Sequence, residues 1–328
     1  MKQLPVTLLL FIALFISCGK PDETLMDDPS IQTELRKIPI EYAALAAIHL
    51  PGFPDFLIAD GAGVWVTNIG RLEKLVLGSD NPVATVTMPS PCGAGVSAFG
   101  SLWVASCSNK SLYRIDKTTF AITSIINTGL ADPSGELSVA AGAGSVWLLT
   151  KSSGILTRID PATNSVVSEI AVEPKSYAAA FGFGAVWISN TGDGFSDVGS
   201  VQRINPATNQ VVATIPVGKT PHFIAAGEGG VWVINQGDGT VTRIDPATNA
   251  VVANIHIRAF GSGGDITTGA GRVWVRASNA FLFEIDPVTN TVANTYIPPQ
   301  GSGAVRVADG DIVWASSHDA NTVWAFKK

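Results

Sequence analysis

Residues 218–257 read GKTPHFIAAGEGGVWVINQGDGTVTRIDPATNAVVANIHI, and this stretch decides the fold. Turn residues cut it into four short segments, HFIAA, VWVIN, TVTRI and AVVANIHI, separated by GEGG, QGDG and DPATN. In DPATN, Pro presets φ at the first corner and the closing Asn tolerates the left-handed conformation that reverses the chain. The VWV and VVA runs are β-branched and aromatic, without the clean alternation of a sheet that has one wet face. Such runs suit strands covered on both faces, and no helical period competes with them.

The unit recurs as GVWVTN, SLWVAS, SVWLLT, AVWISN, GVWVIN, RVWVRA and IVWASS. Its tryptophans are Trp65, Trp103, Trp147, Trp187, Trp232, Trp274 and Trp314, at spacings of 38, 44, 40, 45, 42 and 40. The turn recurs at 160–164, as NPATN at 205–209 and as DPVTN at 286–290. A period of this size made of strands and turns predicts an all-β chain folded as a seven-bladed β-propeller of four-stranded antiparallel blades. The repeated indoles are expected to pack blade against blade; an aromatic binding cage is the other reading.

The last repeat supplies AVRVA, IVWAS and NTVWAFKK, with Trp324 where other repeats have Arg-Ile, and it lacks a fourth strand. Near the N-terminus, EYAALAAIHLPGFP at 41–54 matches the fourth-strand pattern and precedes the first Trp repeat. Residues 40–50 are therefore expected to lie beside 321–327, so that an N-terminal strand completes the last blade and removes a free edge. The propeller is assigned to 39–328.

The first residues, MKQLPVTLLLFIALFISC, have a basic start, an apolar run over 8–16 and Ser17 before Cys18. The run is short for a membrane span and suits a signal peptide over 1–17. FISC resembles a bacterial lipobox, which implies cleavage before Cys18 and lipidation of its thiol; an ordinary signal peptide with an incidental Cys is the alternative. Residues 18–38 are polar, acidic and proline-bearing, and read as a flexible stalk. The expected location is the bacterial cell envelope, lipid-anchored on the periplasmic or cell-surface side.

Removing 1–17 takes away Lys2 and leaves 20 basic against 27 acidic residues, a net of −7. No basic stripe appears, which argues against nucleic acid as a partner. Cys92 starts the first strand of the second repeat and Cys107 ends its second strand, so the two are expected to face each other across a hairpin. In an oxidising compartment they should form a disulfide; two buried thiols are the alternative. No His or further Cys stands at ligand spacing, and no metal site is expected there.

GVWVINQGDGTVTRIDPATNAVVANI and TRIDPATNSVVSEI closely resemble the YVTN or YncE-like β-propeller repeat family, over about residues 40–328. These repeats are grouped loosely with streptogramin (virginiamycin B) lyase-like propellers. The resemblance implies a seven-bladed propeller exported beyond the cytoplasm and serving mostly as a scaffold. The lyase grouping implies a Mg-dependent enzyme whose repeats carry Glu shortly after Trp. The corresponding residues here are Asn68, Ser106, Thr150, Asn190, Asn235, Ala277 and Ser317, so no catalytic residue is carried over.

Antiparallel blades place the uniform GAG-type and DPATN turns on one face. The opposite face collects the second-to-third loops and the inter-blade connections, which vary, and recognition is expected there. Its candidates for ligand binding are Phe56, Glu136, Tyr177, His222, Asp265 and Arg306 around the channel mouth, with Asp193, Asp238 and His318 on the loops. Asp193 with Asp197 lacks the oxygen-rich spacing of a calcium loop. His222 beside Pro221 is either an acid–base group or a hydrogen-bonded strand residue. No nucleophile elbow or phosphate loop is present, and no cofactor is expected. The sequence therefore favours a lipid-anchored monomeric binding or scaffold propeller that recognises a protein, peptide or glycan. The alternative is a Mg-dependent streptogramin-lyase-like or hydrolytic propeller enzyme, with His222, His318, Asp265 and Glu136 as candidates.

Overall fold

The GVWVIN unit folds as an antiparallel hairpin with its flanking strands: Pro221–Gly227, Gly230–Asn235, Thr240–Asp245 and Ala250–His256 form one sheet in sequence order. The computed structural model describes residues 36–61, 63–193, 197–261 and 263–328. The expected signal peptide, Cys18 and most of the stalk lie outside the described residues.

Seven such sheets form a seven-bladed β-propeller. Blades 1 to 6 span residues 57–87, 91–126, 139–171, 176–219, 221–256 and 264–297, each running from its innermost to its outermost strand. Blade 7 takes its first three strands from 305–327 and its outermost from Ala44–His49, which pairs antiparallel with Thr322–Lys327. Ile48 lies opposite Val323 and Ala47 opposite Trp324, so the ring closes as the sequence predicts. A second N-terminal strand, Lys37–Pro39, adds in parallel to the outer strand Thr291–Ile297 and makes blade 6 five-stranded.

All seven repeat tryptophans are at most 1% exposed, which settles them as inter-blade core rather than a cage. Register explains the rest of the motif. Across the second and third strands, Trp103, Trp147, Trp187 and Trp232 pair with Arg114, Arg158, Arg203 and Arg243. Each guanidinium lies over its indole at 4.9–5.2 Å. Each then reaches into the next blade. Arg203 Nη1 donates to the Pro246 carbonyl and to Asn249 Oδ1, both at 2.9 Å, and the other three Arg make the same two bonds one blade along. The closing Asn residues have φ of 56° to 59°, as the turn chemistry predicts. Repetition of DPATN thus has two causes: the reversal itself, and a carbonyl and amide presented to the preceding blade's Arg.

Where the motif departs, the seams differ. Lys74 stands in the Arg place of blade 1 and meets Asp60 at 2.8 Å, while Lys117 of blade 2 reaches back to the same carboxylate. Burial alone would raise the Asp60 pKa, but the donors Lys117, Lys74 and Trp65 hold it down at about 2. Blade 6 has Glu284 in that place, paired with Arg272 at 2.9 Å.

Cys92 and Cys107 form a disulfide across the first hairpin of blade 2, with a Cα–Cα distance of 5.9 Å.

Candidate functional site

The start of each inner strand faces the channel mouth, and six of the seven blades place a polar or aromatic side chain there. Blade 1 contributes Asp55 and Phe56, blade 3 Glu136, blade 4 Tyr177, blade 5 His222, blade 6 Asp265 and blade 7 Arg306.

These groups associate in neighbouring pairs. Asp265 is buried and forms an ion pair with Arg306, and it also accepts the amides of Val305 at 3.1 Å and Ile266 at 2.9 Å. Burial raises its pKa, offset by Arg306 and those amides. Tyr177 stacks on His222 with ring centroids 4.0 Å apart, and His222 Nδ1 is hydrogen-bonded to Gln236. Burial lowers the His222 pKa, favouring the neutral ring. On its other side the Tyr177 hydroxyl bonds to Glu136, and burial with the Glu136 charge pushes the phenol up.

Two carboxylates are less well served. Burial, reinforced by Asp55 and Asp265, pushes Glu136 to about 8, with Tyr177 opposing. Burial also lifts Asp55 to about 6; His318 opposes this, and Asp265 and Asp319 add to it. Both carboxylates line a recess of about 600 Å³ between blades 1, 2 and 3 on the face of the irregular loops. Phe53, Phe56, Ile69, Pro91 and Leu137 form apolar walls, and the Cys92–Cys107 bridge lies in one side.

Local bonds hold this recess open. Asn68, three residues after Trp65, accepts the Phe53 amide at 2.6 Å and the Ile69 amide at 2.8 Å while donating to Glu73 at 2.7 Å. Thr67 takes the amide of Asp55 on its carbonyl at 3.0 Å and that of Phe56 on its hydroxyl at 2.9 Å. Ser106, at the matching place in blade 2, donates to the Pro89 carbonyl at 2.6 Å. The positions where lyase-like repeats carry Glu are thus buried here, and in these two blades their side chains position loops. Gly93, at φ 71°, is required by crowding: a Cβ there would lie 2.3 Å from the Leu137 carbonyl oxygen.

The remaining sequence candidates lie apart from this cluster. Asp193 is a rim residue with a 94% exposed side chain, 3.1 Å from Lys175 Nζ. Asp238 ties its own loop, accepting the Lys219 amide at 3.0 Å and the Thr240 hydroxyl at 2.8 Å. His318 stacks on Phe53 at 4.1 Å and sits 3.1 Å from Asp319, beside the recess rather than in it. His49 and His256 are exposed at matching rim positions. Sequence reasoning missed Asp55, Phe53 and Gln236; Asp55 adjoins Phe56, so the inner-strand start read one residue earlier would have found it.

No protein-family model matches the chain, and none of the curated proteins matches it. Among solved structures, it is similar to selenomethionine-substituted virginiamycin B lyase from Staphylococcus aureus, at 15% identity over 86% of this chain and 98% of that one, with a TM-score of 0.70. A streptogramin B lyase structure matches at 16% identity over 85% and 96%, with a TM-score of 0.70. Hydrazine synthase from Kuenenia stuttgartiensis matches at 13% over 85% and 96%, again at 0.70. Identity this low speaks for the shared fold alone, a scaffold that carries unrelated functions.

Proposed function

We propose that the protein is a YVTN- or YncE-like binding propeller, exported and lipid-anchored through Cys18, that recognises a protein, peptide or glycan on its variable face. The observation that carries this reading is the recess between blades 1, 2 and 3, apolar-walled with a few convergent polar groups, which is the usual make-up of a recognition site. The disulfide supports an oxidising, extracytoplasmic setting.

The Mg-dependent lyase alternative has less support. Among the described residues, no three of His, Cys, Asp or Glu are grouped to hold a metal ion. His222 is buried, stacked and hydrogen-bonded, and His318 belongs to a different blade. A panel of peptides and glycans titrated against the full chain tests the binding reading. Ligands should raise the unfolding temperature of the wild type and not of Ile69→Trp, which crowds the mouth at a side chain that is 68% exposed. Equal stabilisation of both proteins, or chemical turnover of a bound ligand, would overturn it.

A further inference from the structure

We infer that the recess between blades 1, 2 and 3 takes a protonated amine carried on an apolar body, with the ammonium seated between Asp55 and Glu136. The inference rests on the recess being the binding site and adds the class of ligand.

The argument is one of charge compensation. The other buried acids near the channel and seams have cationic or amide partners: Asp265 has Arg306, Asp60 has Lys74 and Lys117, Glu73 has Arg71 at 3.0 Å, and Glu284 has Arg272. Asp55 and Glu136 do not. Among the described residues, the Asp55 carboxylate accepts no hydrogen bond, and Glu136 has only the Tyr177 hydroxyl. Among the described residues, no Lys, Arg or His lines the recess. Half-buried carboxylates without partners are costly, and that cost falls when a cation supplies charge-assisted donors. An ammonium offers three donors and can bridge two acids, and Phe53 and Phe56 line the same recess, where an apolar body can pack.

The surrounding charges set the proton balance. Glu136 faces Asp55, Asp265 and Tyr177; Asp55 faces His318, Asp265 and Asp319. With Glu136 raised to about 8, it is mostly protonated at pH 7 in the empty recess. Seating an ammonium favours the ionised form, so Glu136–COOH and R–NH₃⁺ become a carboxylate–ammonium pair and one proton leaves to solvent. Affinity therefore weakens as pH falls below about 8, and more steeply below about 6, where Asp55 also takes up a proton.

Calorimetry on the full chain tests this with phenethylamine, its neutral isostere 2-phenylethanol, and Mg²⁺ or Ca²⁺ alone. The amine should bind about tenfold or more tightly than the alcohol. Asp55→Asn and Glu136→Gln, which preserve shape, should each remove that preference. Buffers of different ionisation enthalpy at pH 7 should report release of close to one proton with the wild type and none with Glu136→Gln. Equal binding of amine and alcohol, blocked by Ile69→Trp, would overturn the amine inference while leaving the binding site standing. Failure of both probes, or their binding undiminished by Ile69→Trp, would count against the site itself. Stoichiometric binding of Mg²⁺ or Ca²⁺ lost in the same two carboxylate variants would replace the inference with a metal site.

Discussion

Replacing Arg203 with Ala should weaken the seam between blades 4 and 5 by an amount that can be built from its contacts. The guanidinium makes two bonds of 2.9 Å to Pro246 and Asn249 and lies 5.2 Å from the Trp187 ring centroid. Arg203 is half-buried, so each charge-assisted bond is worth about 1 kcal/mol net. The ring contact adds about 0.5–1 kcal/mol. The sum is about 2.5–3 kcal/mol, or a drop of about 5 °C in unfolding temperature at about 2 °C per kcal/mol for a ring of this size. Differential scanning calorimetry on the full chain measures the shift. Arg203→Lys should fall between, because an ammonium keeps the charge but loses the fork that spans both acceptors. Asn249→Gly retains the left-handed turn at φ 59° while deleting the acceptor, so a double-mutant cycle with Arg203→Ala should show coupling of about 1 kcal/mol. An Arg203→Ala melt within 1 °C of wild type, or strict additivity in the cycle, would refute the latch.

Deleting 39–50 removes the outer strand of blade 7 and should lower the melt by about 10 °C or more, since it reopens the ring; an unchanged melt would contradict the closure. Cys92→Ala with Cys107→Ala should cost about 3 kcal/mol by urea unfolding, for a bridge spanning 15 residues, and denatured unreduced protein should show neither thiol. Glu136 sits at about 8 when folded against 4.5 for the free side chain, so the folded state keeps a proton that the unfolded state loses between those values. Stability from this group is present below 4.5 and is lost as pH rises toward 8. Melts from pH 5 to 9 should therefore decline less in Glu136→Gln than in wild type, and parallel profiles would refute the burial of this acid.

Much of the architecture was legible because it is local. The Trp hairpins, the DPATN turns and the missing fourth strand of the last repeat each declare themselves within about forty residues, and the Cys92–Cys107 pairing follows from one hairpin. What escaped depends on distance. Arg158 and its acceptor Asn209 are 51 residues apart, so the latch looks in sequence like two unrelated conserving habits of a strand and a turn. Strand Lys37–Pro39 has no turn signal around it and lies in a polar stretch, pairing instead with an edge more than 250 residues away. The channel ring was recognisable as a set of positions, yet which acids are compensated depends on neighbours from other blades: Arg306 forms an ion pair with Asp265, whereas among the described residues Asp55 has no ion pair at contact distance and feels only His318 as an opposing charge, from further off.

Hydrogen exchange of the full chain, with and without a bound ligand, tests the central claim that recognition occurs in the recess between blades 1, 2 and 3. Protection should concentrate at 53–56, 67–70, 90–93 and 135–137, the segments that line it. Protection confined to the opposite face, at the turns 160–164, 205–209, 245–249 and 286–290, would contradict the account.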